Sequence, residues 1–314
     1  MNNPLSSLSS LSSVRRRAVL GGLLGIGASA LASCAVNPDS PRSAPTSSPA
    51  AMPSATHTPS ASPTPTAAAS SSAAVARPSR ADVVRQYAGK PAGAFGLEVK
   101  GIELGLPPKA KGAALTFDAC GGPNGEGFDE VLIEALRKHQ APATLFINQR
   151  WAKANKSLTR ELAADPLFEI ANHGTSHAPL ASRGQAAYGI PGTANIGAAY
   201  DEIMGNQLYL FDEFGVQARF FRSGTAHMDE LAAALTRDLG LIPMNFTVNL
   251  DAGATFPAST VTAQALAMGL GSVGIGHFNR PNSGTGKGVA AALPGLLQAL
   301  ESKNLALVKL SDAC

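Results

Sequence analysis

The chain has 314 residues, with 25 lysines and arginines against 22 aspartates and glutamates, a formal net charge of +3. So small an excess gives no reading as a nucleic-acid binder from bulk electrostatics. A hydrophobic content of 45% builds a sizeable core only if it is gathered in one part of the chain, and the first quarter does not gather it.

Residues 1–34 run from a polar start through Arg15, Arg16 and Arg17 into the apolar stretch AVLGGLLGIGASALA. That is the order of a secretory signal, and about fifteen Gly-rich residues are short for a membrane span. RRAVL resembles a twin-arginine export signal. Leu31-Ala32-Ser33-Cys34 resembles the lipobox of bacterial lipoproteins, which implies that Cys34 becomes a lipid-bearing first residue at the outer face of the cytoplasmic membrane or cell envelope. From residue 35 to 80 the chain is almost wholly Ala, Ser, Pro and Thr, without apolar periodicity. Such a segment cannot offset its ordering entropy by burial, so a disordered tether with a reach on the order of 100 Å is expected, with His57 solvated in it.

A folded domain is expected over 81–314. Apolar runs predict seven strands, over 114–117, 143–147, 168–171, 218–221, 243–250, 272–276 and 305–310. Helical periodicity fills most of the gaps between them: Phe128, Leu132 and Leu136 share a face, as do Tyr200, Ile203, Gln207 and Phe211. Leu231, Leu235 and Leu239 repeat the pattern behind Asp229, a plausible N-cap. Alternation of strand and helix predicts parallel pairing, and seven units suggest a barrel-like closure. In such barrels chemistry collects at the C-terminal strand ends. Those ends carry Asp118, Asn148, Asn172-His173, Arg222, Asn249 with Asp251, His277, and Ser311 with Asp312. His173 and His177, four apart in ANHGTSH, have the spacing for two imidazoles to converge on a divalent metal.

These residues resemble the polysaccharide deacetylase family, the NodB-homology domain. LTFDAC at 115–120 is similar to its first motif, usually TFDDG, and NHGTSH at 172–177 to its second. FRSGT at 221–225 resembles the arginine-bearing third, VNLDAG at 248–253 is a weak counterpart of the fourth, and VGIGH at 273–277 matches the fifth. The resemblance implies an α/β fold, a distorted (β/α)7 barrel. It also implies metal-dependent removal of N- or O-acetyl groups from a cell-wall or surface polysaccharide, such as a peptidoglycan-type glycan. By it, His173 and His177 hold the metal, expected to be zinc. Asp118 is the base, His277 protonates the leaving group, and Arg222 orients the base carboxylate.

One position departs from the family. Ala119 stands where the second aspartate completes the metal triad. Three outcomes stay open: Asp118 remains the base beside a metal with another third ligand, Asp118 becomes the ligand, or the domain only binds glycan. A related hydrolase of a small amide is a further alternative. For Cys120 the expectation is a disulfide to Cys314, because the first and seventh strands are neighbours in a closed barrel and both cysteines follow the same strand ends. Such a bridge needs Cα atoms within about 7 Å and contributes about 4–5 kcal/mol on the chain-entropy model. The alternative is a Cys120 thiolate in place of the missing carboxylate ligand.

Several signals carry less. NSGTGKG at 282–288 lacks the first glycine and the final Ser or Thr of a phosphate loop. Trp151 could stack on a sugar but reads first as a packed aromatic, and His227, Asn279 and Arg280 have a smaller claim on substrate.

Overall fold

The computed structural model describes residues 77–314; the expected export signal, Cys34, His57 and the expected tether as far as residue 76 lie outside them. The first element, α1 (Arg80–Tyr87), starts on a capping box in which the Ser79 side chain accepts from the Asp82 backbone N–H. A short strand, β1 (Phe95–Gly96), follows. The main sheet opens with β2 (Gly112–Ala119), buried at every position. Next come α2 (Glu130–Lys138), β3 (Ala143–Ile147), α3 (Gln149–Ala154), α4 (Lys156–Ala164), β4 (Phe168–Asn172) and α5 (Ile196–Phe214). After these stand β5 (Phe220–Phe221), β6 (Met228–Asp229), α6 (Glu230–Asp238), β7 (Ile242–Pro243), β8 (Val248–Asn249) and α7 (Ala258–Leu266). The chain closes with β9 (Val273–His277), α8 (Thr285–Glu301), β10 (Ala306–Leu307) and α9 (Leu310–Ala313).

The sheet runs in the order β7-β5-β4-β3-β2-β9-β8, and every neighbouring pair is parallel. It is a curled half-barrel. The segment expected as one fifth strand makes β7 at one sheet edge and β8 at the other. Residues 244–247 between them therefore carry the chain from edge to edge, a covalent closure where a barrel would have a continuous ladder. Pro243 lies at this break and removes one ladder donor.

Side-chain alternation along β2 sorts its residues. Ala113, Leu115, Phe117 and Ala119 face the helix-packed core with Leu132, Leu136, Trp151 and Leu296. Ala114 faces the concave side with Phe146, Ala171, Phe220, Met244 and Val273. Asp118 shares the parity of Ala114, as does Cys120 just past the strand. Trp151 is fully buried and its indole N–H donates to the Gly127 carbonyl at 2.8 Å, so the packed reading of this residue holds. The Asp229 cap is also present, accepting from the Ala232 N–H at 2.8 Å. On α5 the expected Ile203 and Gln207 are buried and Tyr200 half-buried, but Phe211 is about half exposed and Leu210 takes the buried place at that end.

The expected Cys120–Cys314 disulfide is not formed; both thiols are free. The seventh strand was read as running up to the same rim as Asp118. Instead β10 pairs only with Gly112 and Ala113 at the start of β2, and the chain then turns into α9. There the Leu310 N–H donates to Thr144 Oγ1 at 3.0 Å, and Arg219 donates to the Cys314 carbonyl at 3.3 Å. Ser311, Asp312 and Cys314 thus sit at the N-terminal end of the sheet. Roughly 20 Å of strand separates them from Cys120, far beyond disulfide reach.

Candidate active site

Asp118 is the last inward-facing residue of β2 and is only 2% exposed. Its Oδ1 accepts from Arg222 Nη1 at 2.7 Å, and its Oδ2 lies 3.7 Å from His173 Nε2. Burial pushes this carboxyl up, but the Arg222 guanidinium and the imidazoles of His173 and His277 outweigh it and hold it below the ordinary aspartate value. Asp118 is therefore an ionised carboxylate with one oxygen tied and the other turned toward the histidines.

Arg222 follows β5 and is fully buried, with its guanidinium carbon 4.0 Å from the centre of the Phe146 ring. It donates to the carbonyls of Met244 at 3.1 Å and Asn245 at 2.8 Å, inside the segment that joins the two sheet edges. Its own carbonyl lies 2.9 Å from His173 Nδ1. With Nδ1 donating to that carbonyl, His173 presents Nε2 as a lone-pair donor toward the cavity.

The loop carrying His173 and His177 is held from outside the site. Asn148 donates to the carbonyls of His173 and Gly174 at 2.9 and 2.8 Å. The Glu202 carboxylate on α5 accepts from the Ser176 N–H at 3.0 Å, the Ser176 hydroxyl at 2.6 Å and the Ala178 N–H at 3.2 Å. His177 sits in the left-handed region at φ 65°, and its backbone passes so close to Gly224 that any Cβ there would collide with the His177 carbonyl. The two imidazoles stand nearly perpendicular, with centroids 5.0 Å apart.

Cys120 completes this group. Its Sγ is 3.8 Å from His173 Nε2, and the candidate ligand atoms of Cys120, His173 and His177 all lie within 4.8 Å of one another. Burial opposes ionisation of the thiol, but His177, His173 and His277 overcome it and lower its pKa well below the ordinary cysteine value. One thiolate and two imidazoles are a donor set suited to zinc, so the residues present fit a divalent metal. Gly121 and Gly122 turn the chain away directly afterwards with φ of 66° and 78°; a Cβ on Gly121 would strike the Trp151 backbone nitrogen. Ala119, at the family's usual ligand position, faces the helix-packed core and contributes nothing to this cluster.

His277 ends β9 directly beside Asp118, its register partner. Its Nδ1 lies 3.0 Å from Asp251 Oδ1, and its backbone N–H donates to Asp251 Oδ2 at 2.6 Å. Thr285 donates its hydroxyl to the same Oδ2 at 2.8 Å. Burial opposes protonation of the imidazole, but Asp251 prevails and raises its pKa well above the ordinary histidine value. The five residues expected from sequence therefore meet at one rim. Asp251 appeared there as strand-end content and within the weak VNLDAG counterpart, with no role assigned, and Glu202 was missed. An acid beside a helix-borne hydrophobic run gives no sign that it anchors a loop far away in sequence.

A cavity of about 640 Å³ is lined by Asp118, Cys120, His177 and His277, with Tyr188 and Arg280 among its other walls. Comparison with known proteins matches residues 105–243 to the polysaccharide deacetylase family model. Over those residues, less than half of the chain, it is similar to a polysaccharide deacetylase domain. The match stops short of Asp251 and His277, so that half of the site rests on the geometry alone. No curated protein matches the chain in sequence. Among solved structures it is similar to the Bc1960 peptidoglycan N-acetylglucosamine deacetylase, with TM-score 0.56 and 22% identity over 68% of this chain and 92% of that one. It is also similar to PdaA of Bacillus subtilis, a family 4 carbohydrate esterase, with TM-score 0.52 and 18% identity over 74% and 86%. BA3943 of Bacillus anthracis, a pseudoenzyme of the same esterase family, gives TM-score 0.54 and 17% identity over 67% of both chains. At these identities the likeness is one of fold. Because a pseudoenzyme shares it, only the side chains can argue for activity.

The buried ion pair generates a stability test. Arg222→Met leaves the Asp118 charge buried and unpaired and is expected to cost about 3–5 kcal/mol in urea unfolding. Combining it with Asp118→Asn removes that charge and should recover part of the loss, a coupling of about 1–3 kcal/mol.

Proposed function

We propose that this chain is a metal-dependent hydrolase that removes acetyl groups from a cell-wall or surface polysaccharide. The observation that carries the reading is the convergence, on one cavity, of the Arg222-held Asp118 carboxylate, the Asp251–His277 pair and the Cys120/His173/His177 donor cluster. Structural tethering alone does not call for three such groups at one strand rim.

Cys120, His173 and His177 would hold the metal, with Cys120 supplying the charge that Ala119 cannot. When bound, a divalent metal there supplies Lewis acidity toward water and the acetyl carbonyl. Asp118 keeps one oxygen free of Arg222 and accepts the proton of the attacking water as its oxygen bonds to the acetyl carbon. His277 is oriented through Nδ1 by Asp251 and is protonated at neutral pH. Its other nitrogen delivers a proton to the departing amine or alcohol as the C–N or C–O bond breaks, releasing acetate. Arg222 stays charged and fixes the direction of the base throughout.

The lipobox-like Cys34 and the Pro-rich tether extend the proposal to a domain exported and held off a membrane by lipid, within reach of wall glycan. Mass spectrometry of the membrane-extracted protein should find a diacylglycerol-modified Cys34 as the first residue; an unmodified Cys34 in that fraction sinks this part.

The metal reading is tested by acetate release from acetylated glycans, alongside metal analysis and cobalt spectra. The expected protein binds one zinc per chain and loses acetate release on chelation. Substituted with Co(II), it shows a sulfur-to-cobalt charge-transfer band that Cys120→Ser removes. Neither metal uptake nor acetate release, with zinc supplied, would instead point to a glycan-binding scaffold. The pH profile tests the acid. With its pKa raised by Asp251, His277 stays protonated past neutrality, so kcat/KM falls only as pH rises through that elevated value. Asp251→Asn removes the stabilising charge and should move the alkaline limb to lower pH, with a lower maximum.

A further inference from the structure

The loop between β4 and α5 contains a two-residue turn that the catalytic groups do not use. Ala187 and Ile190 exchange backbone hydrogen bonds of 3.1 and 2.9 Å. The residues between them, Tyr188 and Gly189, have φ of 52° and 75°. Two successive left-handed residues make a turn of the I′ kind, whose first position favours asparagine, aspartate or glycine. A bulky aromatic there is a backbone outlier costing on the order of 1 kcal/mol or more. Burial does not repay that cost, because the residue is 79% exposed.

Tyr188 is nonetheless placed. It and Ile190 line the cavity that holds Asp118 and His277. Its ring meets His227 edge-on, with centroids 5.2 Å apart and planes at 89°. His227 is in turn pinned by Nδ1, 2.7 Å from the Thr225 carbonyl, and lies against Phe95 with centroids 5.7 Å apart. The Phe95–His227 pair thus gives the tyrosine one perpendicular aromatic contact, while most of its surface stays open to the cavity mouth. An aromatic plate held in a strained turn at the mouth of a catalytic cavity suits a ligand with a flat apolar face and a polar rim, which is the chemistry of a pyranose ring.

We propose that Tyr188 is a specificity-determining residue, the stacking plate of a sugar subsite beside the acetyl-transfer centre, with His227 as its positioning residue. This inference rests on the glycan reading of the site. It commits to a polymeric substrate: the plate binds a ring of the chain outside the reacting acetyl group, so a small acetyl ester gains nothing from it.

The test uses the full chain with tetra-N-acetylchitotetraose and ethyl acetate, an ester without a ring, as probes, and compares Tyr188→Phe with Tyr188→Asn. Asparagine suits the left-handed turn, so Tyr188→Asn should keep or raise the thermal midpoint while removing the plate. Its expected signature is a tetramer Kd, read by saturation-transfer NMR, and a KM for acetate release from the tetramer each raised about 3- to 10-fold, with a much smaller change in ethyl acetate turnover. Tyr188→Phe should bind the tetramer like wild type. An unchanged tetramer Kd in Tyr188→Asn, an equal loss on both probes, or no tetramer binding by the wild-type chain overturns the proposal. Failure of the hydrolase reading looks different: neither probe is turned over, yet tetramer binding still depends on Tyr188.

Discussion

The Arg222–Asp118 ion pair is the constraint around which the domain is arranged. Two charges with 0% and 4% side-chain exposure are expensive to bury, and they are tolerated because nearly every polar atom of the arginine has a partner. The partners come from different parts of the sheet. Asp118 ends β2, Phe146 lies on β3, His173 follows β4, and Met244 and Asn245 belong to the link that carries the chain between the sheet edges. One arginine therefore holds the Asp118 carboxylate, fixes the His173 imidazole through its backbone carbonyl, and pins the closure of the half-barrel. Structural and chemical demands fall on the same residue, which explains how a sheet with two short edge strands can keep a rim in register.

The two histidine systems differ in how they are tuned. His277 is paired with Asp251 and supported by Thr285, an arrangement that favours the protonated ring and suits an acid. Against the cost of burial, His173 is also favoured in its protonated form, by Asp118 and Cys120, but its Nδ1 meets a neutral carbonyl, so a ring that gives up its Nε2 proton has that nitrogen as a ligand. The residues are similar in type, and their backbone and carboxylate partners separate their work. Cys120 stands between them, and a soft thiolate at that point changes which metals the site prefers relative to one built on carboxylate.

Much of the site was legible because strand ends announce themselves. An apolar run that stops on Asp118, on Asn172-His173 or on His277 marks a rim, and spacing in HxxxH marks convergence. Cys120 was also within reach of the sequence. A two-residue period along β2 places 118 and 120 on one face and Ala119 on the other, so the thiol joins the catalytic side whenever the strand continues. The second cysteine, Cys314, set a disulfide ahead of the thiolate alternative. The disulfide's failure lies in β10: the predicted seventh strand is only two residues long and pairs with the bottom of β2, so Cys314 never climbs to the rim. Glu202 and Asp251 were harder, because a carboxylate's partner is chosen by folding across long sequence distances and not by its neighbours.

By itself the sequence determined the kinds of chemistry available and the order in which strands deliver them, since both follow from local periodicity and residue type. It also contained the departure at Ala119, which no fold can undo. What only the tertiary structure decided is pairing: Cys120 with the histidines and not with Cys314, Asp251 with His277, and Tyr188 exposed at the cavity mouth in place of a residue suited to its turn. Those outcomes depend on the distances between segments remote in the chain, and such distances are set when parallel strands choose their register and the sheet curls.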